Sequence, residues 1–349
     1  TTKALPISFV MGEICTKCVP PSPEMWTPAN EFNVQAHEGP VFFYPWVYYT
    51  TTPAKKKAPN VRIERLNVET GKMEIFRPES EANMPNGMIG EEPRDDIKEE
   101  KARTFYTCEQ GHMDSPARIT STTIYQDGKV EYKTIFEESK AQPLNSPNDI
   151  CIGPDGSLWF TDPSYGSLQK FRPSPPQAPN AIYRLDIKTK KLTMMIDLKY
   201  DEDEMHKKNK PNGICFSRDF NWLYYTNTSA AYPGEDYCEC RHRSIWKIKM
   251  NEKGDGVIQS SHQLVCEINP PKRHLQSIPD GLKWVDGYLL TSCGPALVFV
   301  DPKTHKIVKR LRQNCAEVTN FSLSGCGKRL AVVANNKLII LHKKFSRSW

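Results

Sequence analysis

Short runs of alternating apolar and polar residues cover most of the chain, and apolar residues at helical spacing are almost absent. Alternation with a period of two predicts half-buried β-strands. Four pairs that end in glycine separate such runs and predict hairpin turns: Thr70-Gly71, Asp127-Gly128, Asp155-Gly156 and Asp286-Gly287. The pattern therefore predicts an all-β protein built from antiparallel hairpins.

One sequence unit recurs six times along the chain. Each copy has an Asn, Asp or Glu, in most copies followed by Gly, and then an apolar strand. The key residues are Glu38, Asn86, Asn148, Asn212, Asp280 and Asn320. Their spacing suits units of four short strands with loops of variable length. We therefore expect a six-bladed β-propeller, with four antiparallel strands per blade, as a single domain over residues 1–349.

The last unit is too short to form a blade alone, because only 29 residues follow Asn320. We expect an N-terminal strand, within 5–11 or 31–35, to complete it and close the ring. Residues 1–36 would then be an N-terminal extension with the closing strand, and residues 37–349 the blades. Three charged or proline-rich segments, 91–101, 172–180 and 201–210, are expected to be loops that connect blades.

Composition and charge exclude several classes of protein. Hydrophobic residues make up 38% of the chain, which is enough for a sizeable core and excludes a wholly disordered chain. The net charge of +6 is mild, and no basic stripe is present, so we expect no nucleic-acid partner. The longest apolar run, 41–49, is interrupted by Pro45, whereas a membrane helix needs about 20 residues. We expect a soluble protein, with its compartment and oligomeric state left open.

Eleven cysteines are present, and most lie singly inside apolar strands, as Cys151 and Cys215 do. Such cysteines are typical of buried thiols. Cys15 and Cys18 have zinc-like spacing, as does the distant pair Cys238 and Cys240. These four residues could form a metal site, remain free thiols or include one disulfide.

The six key residues converge if each unit begins with the strand nearest the propeller axis. They would then form a ring at one mouth of the central channel, and all six side chains offer oxygen. Hard oxygen donors that include two carboxylates suit a divalent cation, and calcium is favoured because it accepts a looser geometry. Mg²⁺, Mn²⁺ and Zn²⁺ are alternatives. The competing interpretation is that the Asn-Gly and Asp-Gly pairs simply form turns.

The run SPNDICIGPDGSLWFTDPSYG at 146–166 resembles the signature of the gluconolactonase family, also called the senescence-marker-protein-30 family. Supporting segments occur in the family's order: Glu38-Gly-Pro, Cys108-Glu-Gln-Gly, Pro211-Asn-Gly and Pro279-Asp-Gly. The resemblance implies a six-bladed propeller with a divalent metal in its channel, commonly calcium, and hydrolysis of small lactones. It implies as metal ligands Glu38, Asn148, Asn212 and Asp280. The first 36 residues and the insertion at 238–243 have no clear counterpart.

Lactone opening at such a site requires no serine nucleophile, because a bound cation can polarise the carbonyl and stabilise the oxyanion. The attacking water needs a base, and Asp280 is the first choice since a carboxylate beside the metal can ligate and accept a proton. His37 and His112 are the alternatives. The candidates for substrate binding are Asn86, Arg118, Asp149, Tyr165 and Asn320, of which Asp149 could instead orient Asn148.

Three other functions fit a propeller: an esterase for phosphotriester-like substrates, a catalyst of cyclisation or condensation in specialised metabolism, and a non-catalytic interaction scaffold. The oxygen ring argues against the scaffold, because carboxylates that face each other without a cation cost energy. A cyclisation catalyst would not require the ring either. The small lactone is therefore the expected partner of the protein.

Overall fold

The computed structural model describes residues 26–91, 102–198, 209–229, 243–269 and 277–344. These residues form six antiparallel sheets of four strands each. Two single-turn helices, α1 (Glu79–Ala82) and α2 (Tyr165–Leu168), are the helices of the described residues. The predicted six-bladed β-propeller is confirmed.

The chain builds the blades in sequence order after one initial strand, β1 (Trp26–Asn33). Blade I contains β2 (Ala36–Phe43), β3 (Trp46–Thr51), β4 (Ile63–Asn67) and β5 (Met73–Arg77). Blade II contains β6 (Pro85–Gly90), β7 (Ala102–Glu109), β8 (Arg118–Tyr125) and β9 (Val130–Glu137). Blade III contains β10 (Ile150–Ile152), β11 (Leu158–Asp162), β12 (Ala181–Leu185) and β13 (Leu192–Asp197).

The second half of the ring repeats this order. Blade IV contains β14 (Pro211–Phe216), β15 (Trp222–Asn227), β16 (Ser244–Met250) and β17 (Val257–Glu267). Blade V contains β18 (Pro279–Val285), β19 (Tyr288–Cys293), β20 (Ala296–Asp301) and β21 (Lys306–Arg312). Blade VI contains β22 (Asn320–Leu323), β23 (Arg329–Val333), β24 (Lys337–Lys343) and the initial strand β1.

Strand β1 closes the ring by pairing antiparallel with β24, from Trp26 opposite Lys343 to Asn33 opposite Lys337. The indole of Trp26 is buried in the core shared by blades V and VI, which fixes the strand in place. The predicted closing strand is thus confirmed, and it overlaps the segment 31–35. The other candidate segment, 5–11, lies outside the described residues.

The predicted positions of two loops are wrong. Segment 172–180 lies between β11 and β12, and segment 91–101 lies between β6 and β7, so each falls within a blade. Segment 201–210 does lie between blades III and IV. Proline and charge mark an interruption of strands, but they carry no information about which two strands the interruption separates.

Six apolar clusters fill the spaces between neighbouring blades. Successive side chains of a strand point to opposite faces of its sheet, so each blade contributes to the cluster on either side. Along β20, Leu297 and Phe299 pack with residues of blade VI, whereas Val298 and Val300 pack with residues of blade IV. The alternating pattern of the sequence therefore corresponds to two buried faces per blade.

The first strands of the six blades contact one another in a closed ring around the axis. Their backbones come so close that a Cβ on Gly87 would lie 2.3 Å from the Asn148 carbonyl oxygen. A Cβ on Gly213 would lie 2.4 Å from the Asp280 carbonyl oxygen. Both glycines lie within strands, at register shifts of the inner strand. They are therefore required by the neighbouring backbone and not by a turn.

Replacing Gly213 by Ala should destabilise the fold by about 1–3 kcal/mol or more, because the new methyl group overlaps backbone atoms that cannot move independently. Gly256→Ala is the matched control, since its Cβ would meet the end of the Asn251 side chain, 2.9 Å away. The control should stay within about 0.5 kcal/mol of the parent protein. Urea denaturation in the presence of a chelator measures both, and equal losses would contradict the close approach.

Candidate functional site

The six key residues of the repeat lie at the starts of the six inner strands, as predicted. Four of them belong to strands β2, β6, β14 and β18, Asn148 precedes β10, and Asn320 begins β22. Glu38, Asn148, Asn212 and Asn320 are buried, and Asn86 and Asp280 are partly buried. The contacts between neighbouring inner strands bring these positions together around the axis.

Threonines of the preceding blade fix the backbone at two of these positions. Thr161 Oγ1 donates to the Asn212 carbonyl oxygen at 2.7 Å, and Thr226 Oγ1 donates to the Asp280 carbonyl oxygen at 2.9 Å. Each bond joins the second strand of one blade to the inner strand of the next. The two ring residues are therefore positioned by blades other than their own.

Glu38 is held by two donors on one carboxylate oxygen. The Gly39 N–H lies 3.1 Å from Glu38 Oε2, and Asn320 Nδ2 lies 2.9 Å from the same atom. Burial, together with the nearby Asp149 carboxylate, raises the pKa of Glu38 to about 7. The oxygen of the Asn320 amide accepts from the Phe321 N–H, so Asn320 orients Glu38 with its nitrogen.

Asp280 lies in the same electrostatic environment as Glu38. Burial, and next the charge of Glu38, raises the pKa of Asp280 well above its usual value. The Asn212 side chain donates a hydrogen bond to the Asp280 carboxylate and partly offsets this rise. Glu38, from blade I, is thus close enough to Asp280, from blade V, to disfavour its ionised form.

This donor set fits a hard divalent cation. Two carboxylates whose pKa values are raised by burial gain stability from a shared positive charge, and carboxamide oxygens supply neutral donors of the same hard type. The Asn86 Oδ1 atom is buried and accepts no hydrogen bond from the described residues. Within the described residues, no group of three or more His, Cys, Asp or Glu side chains is arranged to hold a metal ion.

Lys283, which no sequence motif singled out, lies on β18 three residues after Asp280. Its Nζ atom lies 3.0 Å from Oδ2 and 3.4 Å from Oδ1 of Asp149, which is buried. Burial lowers the pKa of Lys283, but Asp149 more than offsets this and the net shift is upward. A lysine inside an apolar inner strand was the one available signal for this residue.

His37 is placed beside the ring, directly before Glu38. Asn335 Nδ2 donates to Glu317 Oε2 at 3.4 Å, and Asn335 Oδ1 lies 2.7 Å from His37 Nδ1. This network makes His37 Nδ1 the donor and leaves Nε2 as the basic nitrogen. Burial lowers the pKa of His37, and the bond to Asn335 offsets part of that effect. A neutral imidazole able to accept a proton therefore adjoins the ring.

His112 lies apart from the ring residues, in the loop between β7 and β8. It lines a cavity of about 220 Å³ formed by loops of blades I, II and III, together with Lys56, Lys57 and Lys170. Burial is the main cause that lowers the pKa of His112. Its catalytic role stays a prediction.

Two candidate substrate-binding residues are engaged elsewhere in the fold. Arg118 NH2 lies 2.6 Å from Glu109 Oε2, and Glu109 also pairs with Arg77 of blade I. Tyr165, at the start of α2, is buried and its hydroxyl bonds the Thr228 hydroxyl. These contacts give both side chains a structural partner, and their roles in substrate binding stay predictions.

The buried thiols predicted at Cys151 and Cys215 are confirmed. The proposed zinc-type set, Cys15, Cys18, Cys238 and Cys240, lies outside the described residues. No helix among the described residues has both the length and the apolarity that a bilayer crossing requires.

Glu38→Gln should raise the melting temperature of the metal-free protein at about pH 8 and leave it nearly unchanged at about pH 5. The native pKa of Glu38, about 7, lies above its usual value of 4.5. Wild-type stability should therefore fall as the pH rises from about 4.5 through about 7, and the uncharged variant lacks this loss. Glu31→Gln, at an exposed pair with Lys337, is the control. Thermal melts in chelator check both, and a pH-independent shift for Glu38→Gln would contradict the expectation.

The model of the SMP-30/gluconolactonase/LRE-like region matches residues 57–334 of this chain. A lactonohydrolase, oryL of Aspergillus oryzae (strain ATCC 42149 / RIB 40), is 27% identical over 191 residues, which are 52% of this chain and 40% of that protein. A gluconolactonase of Zymomonas mobilis subsp. mobilis (strain ATCC 31821 / ZM4 / CP4) is 22% identical over 214 residues, 60% of this chain and 54% of that protein. The chain thus spans about half, or less, of the length of these curated relatives.

A solved structure of a gluconolactonase from Xanthomonas campestris has the same fold. Its TM-score is 0.63 at 20% sequence identity, and the match covers 89% of this chain and 88% of that one. The family match extends over most of the chain, from the loop after β3 to the end of β23. It confirms the resemblance seen at 146–166, and the chain belongs to the SMP-30/gluconolactonase/LRE-like family.

Proposed function

We propose that this protein hydrolyses a small lactone with the help of one divalent cation, for which calcium is the first candidate. Glu38, Asn148, Asn212 and Asp280 would hold the cation at the channel mouth. The observation that carries the proposal is the pair of buried carboxylates from blades I and V, Glu38 and Asp280: burial raises both pKa values, and the charge of Glu38 adds to the rise at Asp280. Membership of a family with relatives named as lactonohydrolase and gluconolactonase supports the choice of lactones.

A bound cation would supply a Lewis acid for the ester carbonyl and for the oxyanion that forms on water attack. The side chains of the ring would accept the proton and hold the reacting groups in place. Asp280 accepts a proton from the attacking water, and the Asn212 amide fixes the orientation of its carboxylate. Glu38 is held in place by its bonds from Gly39 and Asn320. No covalent intermediate with the protein is needed.

His37 is the alternative base. The neutral imidazole of His37 has an unprotonated Nε2 that is suited to proton acceptance. Its hydrogen bond to Asn335 fixes the orientation of the imidazole. Asp280 is preferred because a ring carboxylate combines ligation with proton transfer at one position. Substituting each residue in turn distinguishes the two assignments.

Purified protein should hydrolyse glucono-δ-lactone or simple aliphatic lactones, lose this activity in chelator and regain it with added calcium. Chelation should also lower the melting temperature, because an unfolded chain cannot assemble donors from four blades. Turnover of a phosphotriester without lactone turnover would favour the esterase alternative. Unchanged activity and melting after removal of divalent ions would show that the oxygen ring is only structural.

Asp280→Asn should reduce lactone turnover by about 10²- to 10⁴-fold while cation binding persists, since it keeps an oxygen donor but removes the proton acceptor. Asp286→Asn is the control. Asp286 lies in the turn of the β18–β19 hairpin, at the opposite end of β18 from Asp280, and it pairs with Lys343 of β24. It should change turnover by less than about twofold. Calorimetric cation titration separates loss of the ion from loss of the base. Near-normal turnover in Asp280→Asn would assign the base to His37 or His112.

A further inference from the structure

A lysine bridges the channel between two blades that are not neighbours. Lys283 belongs to the inner strand of blade V, and its partner Asp149 precedes the inner strand of blade III. The exposed fraction is 17% for the Lys283 side chain and 2% for that of Asp149. This ion pair is therefore part of the interior of the channel and not of the outer surface.

Asp149 joins blade III to blade IV at the level of the ring. Its Oδ1 accepts from the Ile150 N–H at 2.9 Å, and its Oδ2 accepts from the Ile214 N–H at 3.3 Å. Ile150 follows Asn148 by two residues, and Ile214 follows Asn212 by two. The carboxylate paired with Lys283 thus bonds the backbone next to both carboxamide ligands proposed for the cation.

Carboxylates outnumber cationic side chains in this part of the channel. In their ionised forms Glu38, Asp149 and Asp280 carry three negative charges, and electrostatic interactions link all three. Lys283 supplies one positive charge and leaves a net charge of minus two among these four side chains. One divalent cation neutralises that remainder. The charge of Glu317, to which Asn335 donates, also raises the pKa of Asp280, so a fourth carboxylate adds to the negative charge here.

We propose that Lys283 is a built-in cation of the channel, which neutralises Asp149 and so reduces the negative charge that a bound divalent ion faces. The inference rests on the cation site of the proposed function. It assigns to Lys283 a positioning role, which none of the four proposed ligands has. Without the ammonium, Asp149 would be a buried, unpaired carboxylate beside Glu38. Such a group destabilises the metal-free fold and attracts added cations more strongly.

A double-mutant cycle tests this role through cation binding, without an activity assay. Lys283→Met should lower the melting temperature of the metal-free protein and tighten calcium binding by about tenfold. Asp149→Asn leaves the ammonium uncompensated and should weaken calcium binding by about tenfold. The double variant, which removes both charges, should bind calcium within about threefold of wild type. Isothermal titration calorimetry and thermal melts with and without calcium measure these effects.

The opposite signs of the two single variants distinguish a charge-balancing role from a purely structural one. If Lys283 only supported the fold, both single variants would weaken calcium binding, and this result would overturn the proposal. Lys283→Arg keeps the charge and should bind calcium within about threefold of wild type. Lys343→Met removes a comparable lysine, paired with Asp286 at 2.5 Å, and should leave calcium affinity unchanged.

Failure of the underlying cation site would be visible in wild type alone, as absence of calcium binding, and would overturn both proposals. If the wild-type protein binds calcium but the affinities of Lys283→Met and Asp149→Asn do not change in opposite directions, only the role of Lys283 is overturned. If Lys283→Met does not fold, Asp149→Asn and the double variant still decide the matter. Binding by the double variant that resembles Asp149→Asn, and not wild type, would then contradict the proposal.

Discussion

The structure depends on the convergence of six inner strands at one axis. Space there is so limited that the residue after a key position is glycine in four copies of the repeat, and a side chain would overlap the next blade. The same crowding brings Glu38 and Asp280 together, although they lie in different blades. Strand packing and the proximity of these two carboxylates are therefore consequences of one geometric constraint.

The apolar clusters between blades and the charged channel have opposite effects on stability. Alternating side chains bury both faces of each blade, as Leu297 and Val298 do, and this burial stabilises the ring. The channel places buried carboxylates in an environment that penalises their charge. A fold with so many apolar contacts tolerates this local cost, and in the proposed function the same cost would favour a bound cation.

The repeat and its hairpin turns were sufficient to predict the blades, because both are local signals in the sequence. The ring residues were found for the same reason, since Asn212 and Asp280 occupy equivalent positions of the repeat. Lys283 was missed because its role depends on a partner 134 residues away. The segment 172–180 was assigned to the wrong pair of strands, since composition marks a loop but not its neighbours. Long-range pairings, unlike periodicity, leave no local trace.

The pairing of β1 with β24 has a consequence for biosynthesis. Thr27 bonds the backbone of His342, 315 residues further along the chain. A ribosome that adds about 5–20 residues per second needs roughly 15–60 s to cover that distance. During this time the indole of Trp26 has no partner strand, and the edge of β1 is open to other chains in the cell. Chaperones that shield such edges would be of most use to this protein before the C-terminal strand emerges.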